Sequence, residues 1–389
     1  MLELAKILRD IDDFGRERAE SFSGLLTELA VADGVEARIR EDLAGARAEI
    51  DRAKTSWLTA GFEEDPSKVY PLPMLQKPHA VLASDGSQIL ADKHEVALCY
   101  LINSSCVTLF YGTGERPVAA THPRLCYKDS DLSETYNNQE VRVNDKMVGI
   151  RRTLAEANEL ERGMEMVAKK GIPAVALWDG SLILWSLQNE PTDYKMKALN
   201  EYKRAFDVAR ELQIPIAGYV SDPGSRDFVN SMKILLCDES PVNCDNCGHK
   251  KNAEALPCDA IAHLKDSMVY GARLGEGERS VLFTSKSRIL DDYGDHRIVA
   301  FYLNTGKEIA RVEVPQWVAA NPLLLDLTHA VCVDQAAKGR GYPVALSEAH
   351  EQAVVRGADR TAFYEAVERS FIKHGAAITR SMKRISKGY

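Results

Sequence analysis

The sequence predicts an α/β domain carrying a helical region at its front and a cysteine-bearing insertion in its middle. Three observations support this. Short apolar, β-rich runs separated by turn formers follow one another as "AVLAS", "EVALCYLI" and "CVTLFYG". Two further buried-strand runs, "IPAVALWDG" and "IPIAGYVSD", alternate with segments of helical periodicity. The first sixty or so residues are rich in Glu, Asp and Arg, with Leu4, Ile7, Leu8 and Ile11 recurring at helical spacing among them.

In order along the chain, the helical region runs from Leu2 to about Phe62, and the prolines of "DPSKVYPLPMLQKP" end it by denying a helix its hydrogen bonds. The boundary expected is 1–65 for the helical region and 66–389 for the main domain, with the insertion at about 237–265. The three β-rich runs read as neighbouring strands, at least partly antiparallel. Asn144 to Lys170 has the helical period and strong helix formers. A strand at "IPAVALWDG" follows, then a helix at "TDYKMKALNEYKRAFDVARELQ" capped by Thr192 or Asp193, then a strand at "IPIAGYVSD". Beyond the insertion, "SVLFT", "RIVAFYLN" and "EIARVEV" read as strands. Helices around "PLLLDLTHAVCVDQAAKG" and "SEAHEQAVVRGADRTAFYEAVERSFIKHG" close the chain.

Composition excludes some classes of function. With 45% hydrophobic and 27% charged residues the chain has ordinary globular chemistry, and it contains no apolar stretch long enough to span a bilayer. Its start, "MLELAKILRDIDDFG", mixes apolar and charged positions, unlike an export signal. A soluble cytoplasmic protein, not bound to a membrane, is expected. A net charge of -8 argues against a wholly basic nucleic-acid coat protein, yet it leaves room for a local basic groove beside an acidic, metal-binding centre.

The hexamers "DGSQIL" (Asp85–Leu90) and "DGSLIL" (Asp179–Leu184) each follow an apolar run, but their flanks share no pattern, so they are not an internal repeat. A lone Asp-Gly is a common turn. Two copies at strand ends, with an acidic helix between them, also suit a cluster of hard oxygen ligands for Mg²⁺ or Mn²⁺. On that helix Glu156, Glu159 and Glu161 lie close together, where a solvated charged face is the ordinary outcome. Ile150, Leu154 and Ala157 place Glu156 near the core-facing stripe, and Glu159 remains the alternative. His350, in "GYPVALSEAHEQAVV", reads as lying in the first turn of a helix capped by Ser347, after a strand-like stretch. There it serves as a cap, a metal ligand or a proton carrier.

Taken in order, "SDGS", "IRRTLAEANELE", "ALWDGSL", "GYVSDPGSRDF" and "DQAAKGRGYPVALSEAHEQAVV" resemble the NurA family of DNA-repair nucleases, over about Ala80 to Val355. The resemblance implies a ribonuclease H-like mixed sheet flanked by helices. It also implies Mn²⁺-dependent cleavage of DNA, single-stranded or at duplex ends, with single-strand endonuclease and 5′-to-3′ exonuclease activities. A homodimer working beside a HerA-type hexameric translocase in double-strand break end resection is implied as well. Asp85, Glu156, Asp179 and His350 then become the metal-binding and catalytic residues, with Mg²⁺ as the alternative to Mn²⁺. In "YVSDPGSR", Tyr219, Ser221 and Arg226 are candidates for holding the phosphate backbone, as hydroxyl and guanidinium donors match its oxygens. An ordinary turn after a strand fits them equally well. Lys373, Arg380, Lys383, Arg384 and Lys387 make the C-terminal end basic, as a DNA contact or as a solubilising tail. Two other readings stay open: a catalytically inactive DNA-binding or translocase-docking subunit, and a metal-dependent phosphoesterase acting on small nucleotides.

Of eight cysteines, Cys99, Cys106, Cys126 and Cys332 are scattered and read as small buried hydrophobes. The others cluster in "CDESPVNCDNCGHKKNAEALPC", where Cys237, Cys244, Cys247 and Cys258 stand near His249. The CxxC of Cys244 and Cys247 suits a tetrahedral Zn²⁺, though a second well-formed knuckle is missing. Reduced thiols in a loop or a labile disulfide are the alternatives.

Overall fold

A computed structural model describes residues 3–91, 98–136, 139–251 and 256–375, with the backbone alone described at 19–23. Residues 376–389, with Arg380, Lys383, Arg384 and Lys387, lie outside the described residues, as does the start of "EVALCYLI". The charged lead forms α1 (Leu8–Glu41) and α2 (Leu43–Arg52), divided at Asp42, whose carboxylate accepts from the Gly45 amide at 2.8 Å and caps α2. Short strands β1 (Ala60–Phe62) and β2 (Val69–Tyr70) follow.

Next, β3 (His79–Ile89), β4 (Tyr100–Tyr111) and β5 (Val118–Cys126) form an antiparallel meander. This corrects the sequence reading. The end of "EVALCYLI" and the whole strand part of "CVTLFYG" belong to one strand, β4, and the third strand is β5. The latter is exposed along most of its length, so it lacks the apolar signal that marks a strand in sequence. A one-turn helix α3 (Asp129–Leu132) and the hairpin β6 (Ser133–Tyr136) and β7 (Gln139–Arg142) lead to α4 (Asp145–Ala168), capped by Asn144.

Then come β8 (Ala174–Asp179), α5 (Thr192–Glu211) and β9 (Ile216–Val220). Pro191 holds the N-cap position of α5, so neither Thr192 nor Asp193 caps it and both are already helical. The chain continues through α6 (Asp227–Leu236), α7 (Gly248–Lys251), α8 (Asp266–Gly271), β10 (Arg279–Ser280), β11 (Phe283–Ser285), β12 (Ile298–Asn304) and β13 (Ile309–Pro315). It ends in α9 (Gln316–Ala319), α10 (Pro322–Lys338), α11 (Val344–Ala353) and α12 (Gly357–Lys373).

The strand-like reading of "GYPVAL" is also corrected. Pro343 takes the N-cap position, and Ala345, Ala349 and Ala353 are buried at intervals of one helical turn. His350 therefore stands in the last turn of α11, not the first, and Ser347 lies inside the helix.

The contacts divide the chain into two units, the first comprising 1–72, 221–288 and 299–312, the second 73–220, 289–298 and 313–389. In the first, the strand order is β1-β11-β12-β13, with β10 joining β12 to β2. Its core gathers Phe62, Phe228, Tyr270, Phe283 and Tyr302 with apolar residues of α1, α2 and α6. In the second, the order is β5-β4-β3-β8-β9, with β8 parallel to β3 and β9 parallel to β8. Numbered within the unit this is 3-2-1-4-5, the ribonuclease H-like mixed sheet that the resemblance implied. Leu82 packs with the apolar residues of α4, and its neighbour on the same strand face, Gly86, meets Glu156 of that helix. Asp85 points the other way, to α11. The two helices thus cover opposite faces of β3.

Candidate active site

The site is built where β3 and β8 run side by side. Their parallel register pairs Ala80 with Ala174 and continues to Ser84 with Trp178, so the next step along each strand is Asp85 on one and Asp179 on the other. Trp178 belongs to the core under α4, and alternation turns Asp179 to the opposite face, where Asp85 also points. Two aspartates ninety-four positions apart in sequence become neighbours through strand pairing alone.

Each aspartate is held. One Asp85 oxygen accepts from the Gly86 amide at 2.7 Å, and the other lies 2.8 Å from His350 Nδ1, which donates to it. Asp179 Oδ1 accepts from the Tyr342 hydroxyl at 2.7 Å. The geometry around His350 is set by α11. Ser105 Oγ donates to the Ala349 carbonyl at 2.7 Å, and Asn103 Nδ2 to that of Ala353 at 2.8 Å. Ser87 Oγ also donates to the Ala353 carbonyl. The Ala353 carbonyl, at the end of the helix, has no intrahelical partner, so Ser87 and Asn103 satisfy it, and together with Ser105 they fix α11.

Glu156 arrives from the other face. It is 7% exposed, and a Cβ placed on Gly86 would lie 2.6 Å from its Oε1. The glycine of the first hexamer is therefore not a turn residue, as the sequence suggested; β3 runs straight through it. The absent side chain leaves the space that the Glu156 carboxylate fills. Gly180, in the second hexamer, does turn, with φ +91 just past the end of β8.

Burial pushes the Glu156 carboxyl up to about 8. The Arg152 guanidinium lowers it in part, and the fields of Asp85 and Asp179 raise it further. Arg152 Nε lies 3.1 Å from Glu156 Oε1, a charge contact without hydrogen-bond alignment, and both atoms are buried without a hydrogen-bond partner. A buried carboxyl oxygen that accepts no hydrogen bond, within the fields of two further carboxylates, fits a cation. The donor set, all oxygen with one imidazole nearby, suits Mn²⁺ or Mg²⁺. The three carboxylates stand apart, however. Among the described residues, Cys237, Asp238 and His249 alone bring three ligand atoms within 4.8 Å of one another.

Glu159 has a different setting. Its two oxygens lie 2.8 Å from His122 Nδ1 and 2.8 Å from Arg162 Nη1. It lines a cavity of about 560 Å³ with Arg124, Arg151 and Lys197, which the aspartates do not share. The carboxylate pair and the buried Glu156 oxygen lie apart from that cavity and mark β3 and β8 as the candidate site.

Of the backbone-holding candidates, Tyr219 is fully buried, with its ring edge-on to Tyr342 at 5.7 Å. It supports the ring that holds Asp179 and does not reach the surface, contrary to a direct phosphate contact. Ser221 and Arg226 belong to the first unit. Ser221 Oγ donates to Glu308 at 2.6 Å, and Arg226 donates to the Ala262 carbonyl at 3.0 Å. Two side chains that contact Asp179 or the turn after it escaped the sequence reading. Tyr342 sits in the turn between α10 and α11, where a Cβ on Gly339 would meet the Tyr342 carbonyl oxygen at 1.8 Å. Glu313, 3% exposed, accepts from Ser181 Oγ at 2.8 Å and from the Leu182 amide at 2.9 Å, clamping the turn after Asp179.

A five-stranded mixed sheet with an aspartate on each of two adjacent parallel strands and a buried glutamate on the helix across them is an arrangement compatible with a nuclease. The match to the family model described as the NurA domain covers residues 79–355, well over half of the chain, and the chain belongs to the NurA family. Among solved structures it is similar to the NurA nuclease from Sulfolobus solfataricus, at 13% identity over 79% of this chain and 88% of that one, with a TM-score of 0.49. A second NurA structure aligns at 12% identity over 91% and 97%, with a TM-score of 0.37. The catalytic domain of human endonuclease V aligns at 14% identity over 84% and 98%, with a TM-score of 0.32. No curated protein matches. No helix among the described residues is long and apolar enough to cross a membrane.

Proposed function

We propose that this chain is a Mn²⁺-dependent DNA nuclease, with Mg²⁺ as a second usable ion, acting on single strands and at duplex ends by endonucleolytic and 5′-to-3′ exonucleolytic cleavage. Its setting is end resection of double-strand breaks in the cytoplasm, as a homodimer beside a HerA-type hexameric translocase. The observation that carries the reading is the buried Glu156 carboxylate, whose Oε1 accepts no hydrogen bond and which lies within the fields of Asp85 and Asp179.

In this reading Asp85, Glu156 and Asp179 hold the cation, with His350 beside Asp85. When bound there, a divalent cation would supply positive charge against the phosphate oxygens and make a nearby water more acidic. The chain's own residues do the rest. The Gly86 amide and His350 orient Asp85; Tyr342, backed by Tyr219, orients Asp179; and His350 is the group able to carry a proton next to the ligands. Arg226 and Ser221, both at the surface, are assigned to the DNA backbone.

The test uses the full chain with Mn²⁺ and a labelled single-stranded oligonucleotide, alongside Asp179→Ala. Cleavage by the wild type and none by the variant is expected. Equal residual cleavage in both would assign the activity to a contaminant. Calorimetric titration with Mn²⁺ separates the reading from that of an inactive docking subunit, for which no binding dependent on Asp85 and Asp179 would be seen.

A further inference from the structure

The first unit contains a second cluster of ligating side chains, which the nuclease reading does not use. Cys237 ends α6, Cys244 opens a single 3-10 turn, Cys247 precedes α7, and Cys258 lies in the 3-10 turn Pro257–Ile261. All four side chains, and His249, line one cavity of about 180 Å³. All four are free thiols and partly buried. The backbone brings them there by specific contacts. The Lys54 amide donates to the Val242 carbonyl and the Cys244 amide to the Lys54 carbonyl, each at 2.9 Å, tying the cysteine segment to the end of α2. Glu239 accepts from the Gly248 amide at 2.6 Å and folds the chain back after the CxxC.

We infer, from four cysteines lining one cavity, a structural Zn²⁺ held there by the thiolates of Cys237, Cys244, Cys247 and Cys258, with His249 and Asp238 as the outer pair; among the described residues only Cys237, Asp238 and His249 already bring three ligand atoms within 4.8 Å, so the other three sulfurs close in when the ion binds. Spacing supplies one chelating CxxC, and the fold supplies the other two thiols from α6 and from the turn after α7. The four sulfurs belong to the lining of the same cavity, and none is in a disulfide. Crowding four thiols without a disulfide is unfavourable for free thiolates and favourable around a soft divalent cation. His249 Nε2 lies 2.6 Å from Asp238 Oδ1, and both lie near the Cys237 sulfur, so the imidazole is already oriented by a carboxylate. The segment also needs such a staple: between Cys237 and Cys258, Val242 is the one fully buried apolar side chain among the described residues. Binding one Zn²⁺ displaces the four thiol protons to solvent.

The test is independent of nuclease activity. Full-length protein produced in zinc-supplemented medium, desalted, and analysed by plasma mass spectrometry should carry one zinc per chain. His249→Ala should keep it, and Cys244→Ser and Cys258→Ser should each lose most of it. Should the serine variants fail to fold, the wild type answers alone. A strong chelator should release the zinc and expose four additional thiols to alkylation, and replacement by Co²⁺ should give the intense near-ultraviolet absorption of thiolate ligation. Zinc-free wild type, full zinc in Cys258→Ser, or loss in His249→Ala with retention in Cys258→Ser would each overturn the four-thiolate assignment. So would alkylation unchanged by the chelator.

Discussion

Gly86→Ala tests the construction of the acidic site most directly. The strand backbone at this position is ordinary, so alanine is conformationally acceptable, and the entire perturbation is steric. The new Cβ would lie 2.6 Å from Glu156 Oε1 and 2.9 Å from Arg152 Cγ. Ordinary contact begins at 3.4 Å, so the carboxylate must withdraw by about 0.8 Å, or α4 must shift. Overpacking of this kind costs about 1–3 kcal/mol of stability. A ligand displaced by about 1 Å costs on the order of 10²-fold in rate. The expected result is a folded protein, modestly destabilised in urea, whose Mn²⁺-dependent cleavage of single-stranded DNA falls about 100-fold. Gly149→Ala is the matching control. It lies on the same helix with nothing within 4 Å of its added Cβ, so it should gain up to about 1 kcal/mol and keep full activity. If Gly86→Ala cleaves DNA at the wild-type rate, the Glu156 carboxylate does not act from the space beside Gly86, and the assigned ligand set is wrong.

Three further outcomes follow from the same contacts. Tyr342→Phe removes the hydroxyl that holds Asp179 and little else, so cleavage should fall about 10–100-fold with the fold intact; an unchanged rate would remove Tyr342 from the site. Glu313→Ala leaves the buried Leu182 amide without its acceptor and should cost about 1–3 kcal/mol by denaturant titration, whereas an unchanged midpoint would show that the turn after Asp179 does not depend on the clamp. Asp266 caps α6 from full burial, and that burial raises its carboxyl from 3.8 to about 6 against hydrogen bonds from Tyr302 and two amides. Its stabilising protonated form is fully present below pH 3.8 and lost as pH rises through 6. Wild type should therefore lose up to about 3 kcal/mol relative to Asp266→Asn across that window, and a stability difference independent of pH would refute the shift.

The parts of this site that were legible in sequence are those with a local signature. Asp85 and Asp179 each close an apolar run, and Glu156 shares the helical stripe of Ile150, Leu154 and Ala157, all buried as the spacing requires. His350 was found as a residue but placed at the wrong end of its helix, because the apolar "PVAL" has the same composition in a strand as in a first helical turn. Tyr342 and Glu313 were not found. Each acts on Asp179 or its turn from more than 130 positions away, and no spacing rule links a turn tyrosine or a strand-end glutamate to a distant aspartate. Glu159 marks the opposite limit. It is as buried as Glu156, and only the partners, His122 and Arg162 against Asp85 and Asp179, tell the two apart.

The two Asp-Gly-Ser hexamers show how one short sequence meets two physical needs. In the first, the strand continues, glycine is required by the carboxylate pressed against it, and Ser87 secures the end of α11. In the second, the strand stops, glycine is required by a positive φ, and Ser181 bonds to Glu313 to close the turn. Gly218 on the adjacent β9 completes the second arrangement, since a Cβ there would meet the Gly180 carbonyl oxygen at 2.6 Å. Only the aspartates do the same thing in both copies, each leaving its strand on the same face of the sheet. A duplicated unit would have preserved the backbone and let the side-chain roles drift; here the backbones differ and only the direction of the aspartates is shared, as expected where two unrelated strands present a side chain to the same face of one sheet.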